Sequence, residues 1–425
     1  MDSSRVAAAL ERFRLTEAEI HAWVEVSPRE PLHEGLLSGV PFGVKDIFET
    51  RGLCTAYGAE IYRGRNGIRD AAAVARLCEQ GAVLFGKTET TAFAYFDPAP
   101  TRNPRNPAHT PGGSSSGSAA AVAAGVVPFA LGSQTMGSII RPASFCGIAG
   151  FKPTYGVLPV DGMMPFAPSL DTVGFLAEST AVCRQVWHAL GFPVGAPHRI
   201  RFAVCEGLPV VLPEMQLAFD HAASLLVSSG YPLELVQLPV PYKELLTAVR
   251  QVNDYEGARS HYERWKEFGT RLGEKLAGLV ARGVMICEEE YRRQLLLLRD
   301  VGSKVDAMFG DEVVLLTPAA PGPAPVGLES TGDPVMNAVW TGLGTPALSI
   351  PMPYGTGLPL GLQLIARRGA EAALLHAGAL LEEVFGKVLI LCGSPRGNLR
   401  KDSGQFTAPP LTRGASKRPG RTPRT

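Results

Sequence analysis

The sequence predicts an α/β protein, and three observations carry that prediction. Short apolar runs of strand length alternate with longer amphipathic stretches along much of the chain. Several of these runs are apolar at every position, the pattern of strands covered on both faces. With 425 residues, 45% of them hydrophobic, the chain can bury a core large enough for such layers within one domain.

The elements follow in order. The opening reads as a helix that Ser3 or Ser4 can cap, with Val6, Leu10 and Phe13 on one face. Residues 23–26 then read as a strand, and 42–46 as a strand ending in the charged pair Lys45-Asp46. Residues 71–80 form a short amphipathic helix closed by Gly81, and 82–85 a buried strand after it. Alternation resumes with strands at 201–205, 233–238 and 312–316, and helices at 215–229, 242–269 and 288–308.

Between residues 97 and 175 this pattern gives way to Gly, Ser and Pro. A long irregular segment inside a compact chain is either functional or disordered. This one is apolar and poor in charge, so the functional reading holds. After Gly393 the composition changes again. Residues 394–425 hold eight Lys/Arg against the single acid Asp402, with almost nothing apolar, and read as a disordered basic tail. The expected organisation is one domain over 1–386, with its chemistry between about 40 and 175, followed by an atypical segment over 387–425.

Charge and cysteine usage exclude several classes. Forty-one basic and forty acidic side chains nearly cancel, so no global field points to nucleic acid or to a membrane surface. The seven cysteines are scattered, odd in number and without a CxxC pair, unlike a disulfide framework or a zinc site. Reduced thiols in a cytoplasmic protein, with no metal and no cofactor, are expected. Residues 1–9 lack a signal-peptide core. The most apolar stretch, 119–132, is interrupted by Gly125 and Pro128 and is too short to span a bilayer.

Chemistry concentrates in two small-residue turns. The first is Pro111-Gly112-Gly113-Ser114-Ser115-Ser116-Gly117-Ser118. It lacks the lysine of a phosphate cradle. It formally fits G-x-S-x-G around Ser115, but that elbow must follow a strand, and Asn103-Pro104-Arg105-Asn106-Pro107 cannot form one. Alone, it would read as a turn opening a helix over 119–124. The second turn is Gly132-Ser133-Gln134-Thr135-Met136-Gly137-Ser138-Ile139-Ile140-Arg141-Pro142, and Gly150-Phe151-Lys152-Pro153-Thr154-Tyr155-Gly156 follows it.

Together with Gly43-Val44-Lys45-Asp46 upstream, these segments resemble the signature region of the amidase-signature family. The resemblance runs from about residue 20 to 385, through Leu315-Leu316-Thr317-Pro318 and Gly344-Thr345-Pro346-Ala347. It implies a single α/β/α layered domain around a mixed central sheet, and hydrolysis or transfer at an amide. By position it implies Ser138 as nucleophile, Ser114 as a bridging serine on a cis peptide bond, and Lys45 as base. It also implies an oxyanion hole of backbone N–H groups from Thr135, Met136, Gly137 and Ser138.

The chemistry agrees with that assignment. A neutral serine attacking an amide needs a base, and the leaving amine needs an acid. No histidine lies within 111–175, and the eight in the chain form no cluster. A lysine can serve if burial lowers its pKa, and Lys45 follows the apolar run 40–44; Asp46 would oppose this if it faced the amine. Lys87 and Lys152 are the rival lysines, expected in structural roles, and Cys146 is expected to be a buried thiol.

Two departures bear on specificity. Met136 stands where family members commonly carry glycine, and is expected to narrow the site. Gln134 stands where many carry aspartate, and with Arg141 is assigned to substrate binding. Arg141 lies three residues after the nucleophile; in members resembling malonamidases that arginine binds the carboxylate of a small acidic amide. Bracing the loop through backbone carbonyls is the competing reading. The first expectation is therefore an amidohydrolase acting on a small amide, with a homodimer admitted. The alternatives are the amidase subunit of a tRNA-dependent amidotransferase that releases ammonia from glutamine, and a catalytically impaired relative that binds ligand.

Overall fold

The computed structural model describes residues 3–31, 33–195, 199–353 and 357–391. Its strands are β1 (Trp23–Arg29), β2 (Pro41–Lys45), β3 (Val83–Thr88), β4 (Phe129–Gln134), β5 (Ala149–Lys152), β6 (Thr172–Ala177), β7 (Arg201–Cys205), β8 (Leu233–Val236), β9 (Val313–Pro318), β10 (Ala347–Pro351) and β11 (Gly361–Ile365). They form one sheet in the order β1-β3-β2-β4-β6-β5-β10-β11-β9-β7-β8. Strands β3, β2 and β4 run parallel, as do β9, β7 and β8, and the pairings between these two blocks are antiparallel. Helices cover the sheet on both sides, giving one α/β/α domain around a large mixed sheet.

The expected elements outside 97–175 are present, with ends shifted by a few residues. The first helix is Ser3–Ile20, and Leu10 and Phe13 pack on the core. The helices expected over 71–80, 215–229, 242–269 and 288–308 are Ala72–Glu79, Pro213–Ser228, Tyr242–Phe268 and Glu288–Phe309. The last helix, Glu371–Leu391, continues past the boundary expected at residue 386. The basic segment 394–425 lies outside the described residues.

The irregular reading of 97–175 needs correction, because that segment supplies three central strands, β4, β5 and β6, and the helices Ser116–Ala123 and Ile140–Cys146. Every residue of these strands is buried, so no in–out alternation marks them. Their glycines, which read as loop signals, instead permit close approach. A Cβ on Gly174 of β6 would lie 2.3 Å from the carbonyl oxygen of Phe151 on the neighbouring β5. No helix among the described residues is long and apolar enough to cross a membrane.

Candidate active site

Parallel pairing of β2 with β4 (Phe42 beside Phe129, Val44 beside Leu131) sets the carboxyl ends of these strands side by side. Lys45 ends β2 and is wholly buried. Its Nζ donates to Ser114 Oγ at 2.7 Å and to Ser133 Oγ at 2.9 Å. Burial holds its pKa well below the ordinary lysine value, and the Asp171 carboxylate pulls the other way. Asp46 does not face this amine. It accepts from Lys87 Nζ at 3.0 Å, and Lys87 also donates to Phe48 O, Cys54 O and Thr55 Oγ1. The anion that follows Lys45 in sequence is thus paired with Lys87.

The Gly113–Ser114 peptide bond is cis. Ser114 and Ser138 line the same cleft, with Thr135, Met136, Arg141, Phe166, Asn253 and Thr331 among its walls. The strip joining Gln134 to the helix Ile140–Cys146 passes along this cleft. Among the described residues, the backbone N–H groups of Thr135, Met136, Gly137 and Ser138 donate to no protein acceptor, so they can serve a ligand oxygen. Gly137 sits in a tight space. A Cβ would sit 2.6 Å from Asn337 Oδ1. Met136 takes no unusual backbone angle, since the non-glycine residues with positive φ are His21, Tyr57, Phe93 and Ala94. Its side chain is 9% exposed and forms part of the cleft wall.

The assignment of Gln134 to substrate binding is corrected, because Gln134 is buried and both ends of its amide are used inside the protein. Its Oε1 accepts from the N–H groups of Ile139 (2.9 Å) and Ile140 (3.0 Å), capping the following helix, and its Nε2 donates to Thr341 Oγ1 at 2.9 Å. That threonine in turn donates to Met136 O at 2.9 Å. Gln134 therefore braces the strip it precedes. Gln134→Leu should strand two buried N–H donors and cost about 2–4 kcal/mol of stability, read as a lower urea midpoint at unchanged m-value.

Arg141 does two things at once. Its Nε donates to Thr331 O and its Nη2 to Gly113 O, both at 2.7 Å, which ties the two serine turns together. Its Nη1 is buried with no partner, and the residue lines the cleft. Burial lowers its pKa to about 10, so it stays charged near neutrality.

The rejected candidates occupy structural positions. Ser115 is buried and its Oγ donates to Ser133 O at 3.3 Å. Lys152 is buried with its Nζ donating to Pro153 O and Thr345 O, and burial lowers its pKa to about 7. Cys146 is buried, with its thiol pushed up to about 12. Sequence reasoning misses three residues near the cleft. Ser133 lies within the second turn, and nothing in its pattern gives it a role. Asp171, with a pKa raised by burial to about 6, accepts from Thr135 Oγ1 at 2.6 Å and from the N–H groups of Phe166 and Ala167. Asn253 arrives from the distant helix Tyr242–Phe268, and no local pattern announces it.

A mixed sheet carrying a buried lysine bonded to a serine beside a serine-lined cleft defines a serine amidohydrolase fold. Comparison with known proteins agrees. The Amidase family model matches residues 6–191. A glutamyl-tRNA(Gln) amidotransferase subunit from Lachnospira eligens is 32% identical over 83% of this chain and 85% of its own length. Among solved structures, a chain from a vestigial protein complex bearing on the origins of an s-triazine catabolic enzyme superposes with a TM-score of 0.81, at 28% identity over 90% of this chain and 95% of that one. The corresponding glutamyl-tRNA(Gln) amidotransferase subunit of Thermotoga maritima gives 0.75, at 26% identity over 88% and 90%. The chain belongs to the amidase-signature family. Its activity is that of an amidase, hydrolysing an amide through an acyl-enzyme.

Proposed function

We propose that this chain is the amidase subunit of a tRNA-dependent amidotransferase, releasing ammonia from glutamine for a partner subunit. The similarity to glutamyl-tRNA(Gln) amidotransferase subunits over most of both chains carries this reading, and reverses the order in which sequence reasoning ranks it against a small-amide hydrolase. Ser138 Oγ attacks the carboxamide carbon while its proton passes through Ser114 to neutral Lys45. The carbonyl oxygen, now negative, turns to the N–H groups of residues 135–138. Collapse breaks the C–N bond, and the proton held by Lys45 returns through Ser114 to the departing ammonia. Water, deprotonated along the same route, then hydrolyses the ester on Ser138 and restores the serine.

One observation favours a second reading, a free-standing hydrolase of small acidic amides. Arg141 lines the cleft and its Nη1 is unpartnered, which suits a carboxylate. Ammonia release from glutamine, malonate half-amide and propionamide by the purified chain separates the two. The amidotransferase reading expects glutamine to be preferred and its turnover to rise with a co-purifying subunit. Preference for the half-amide by the chain alone would sink it.

In either reading Arg141→Ala should lower kcat/KM for carboxylate-bearing amides by about tenfold to a hundredfold more than for propionamide, the worth of a charged hydrogen bond. Equal losses on acidic and neutral amides, with a lower Tm, would reduce Arg141 to a brace.

A further inference from the structure

The helix Tyr242–Phe268 contributes Asn253 to the cleft wall. Asn253 is 4% exposed. Its Nδ2 donates to Asp254 Oδ1 at 3.1 Å. A carboxylate can only accept, so this contact fixes which end of the amide is which. The other end, Oδ1, is buried and has no hydrogen-bond partner. Asn253 lines the same cleft as Ser114 and Ser138, so a ligand held there can supply the donor that this oxygen lacks.

The nearby carboxylates do not compete for that task. Asp171 is committed to Thr135, Phe166 and Ala167. Glu256, one turn along the same helix, accepts from Ser169 N and from the Tyr291 hydroxyl. A carboxamide entering the cleft has a carbonyl oxygen that the N–H groups of residues 135–138 can receive. Its own N–H groups lose water and need an acceptor. Arg141 and the backbone N–H groups only donate, whereas Asn253 Oδ1 only accepts. A neutral acceptor also adds no anion near Lys45 that would draw the proton back onto its amine.

We propose that Asn253 is a specificity-determining residue whose Oδ1 accepts a hydrogen bond from the N–H of the scissile carboxamide. This rests on the amidase reading above and adds a selection between amide and ester. An ester of the same acid has no N–H, and would set an oxygen lone pair against Oδ1. A site built to receive a hydrogen rejects the analogue that lacks it.

The test compares kcat/KM for matched pairs that share an acyl group: glutamine with glutamate γ-methyl ester, and malonate half-amide with its half methyl ester. Asn253→Leu keeps the side-chain volume and removes the acceptor, and Asn253→Ala serves as the second variant. Loss of one neutral hydrogen bond should lower kcat/KM for the amides by about fivefold to tenfold and leave the esters level or faster. Asn253→Leu should shift Tm little, because the oxygen it removes is unpaired in the free enzyme and the one bond it loses is to the partly exposed Asp254 carboxylate. Amide and ester falling together in both variants would overturn the proposal and leave the amidase reading standing. A wild-type chain active on none of the amides would remove the amidase reading, and this proposal with it.

Discussion

Ser138→Ala should lower turnover by about six orders of magnitude, the scale on which a serine hydrolase loses its nucleophile, while Tm stays unchanged. The substitution deletes one hydroxyl at a cleft wall. What remains is the N–H strip and the binding walls, which alone give a small residual rate over water. A fluorophosphonate probe should label the wild type and fail on the variant. The competing nucleophile is Ser115, which sits in the G-x-S-x-G frame. Its hydroxyl is fully buried against the Ser133 carbonyl, so Ser115→Ala should reduce stability and leave the labelled serine in place. Labelling that survives Ser138→Ala and disappears with Ser115→Ala would hand the reaction to the elbow serine.

How far the sequence discloses this molecule depends on which force marks each element. The outer parallel strands β7 and β9 are short apolar runs between amphipathic helices, and their positions are readable from composition. Strands β4 to β6 are not, because at the centre of a sheet covered on both faces neither alternation nor β-branched bulk is demanded. There, close approach selects Gly and Ala, the residues that otherwise mark loops. The site shows the same division. Lys45, Ser114 and Ser138 stand in contiguous motifs, so resemblance names them. Gln134 stands in the motif too, but its direction is set by two N–H groups that follow it and by Thr341, more than two hundred residues away. Motif position suggests a ligand role that its hydrogen bonds exclude. Asn253 is the opposite case. It sits mid-helix with no motif around it, and only the packing of that helix brings it to the serines.

Lys45→Ala should cost roughly three to four orders of magnitude in kcat/KM, at the top of the range for acid–base catalysis, because in the proposed mechanism one group serves as base and then as acid. Lys45→Arg should not recover the loss, since a guanidinium stays charged and cannot take the serine proton. In the proposed mechanism the neutral amine is the active form. Burial lowers its pKa, so kcat/KM should rise with pH through an apparent value well below the ordinary lysine value of about 10.4. Asp171, itself titrating at about 6, favours the charged amine once ionised, so the observed values belong to the pair. Stability carries the same sign. Between the depressed value and about 10.4 the unfolded chain holds a proton that the folded chain has released, so stability should rise with pH across that window. Lys45→Ala should flatten this contribution, measured as urea midpoints at a series of alkaline pH values. A wild-type rate that is flat from about pH 6 to 9, together with an equal stability slope in wild type and variant, would mean that Lys45 keeps its proton. It would then be no base, and the proton of Ser138 would have to leave by another route.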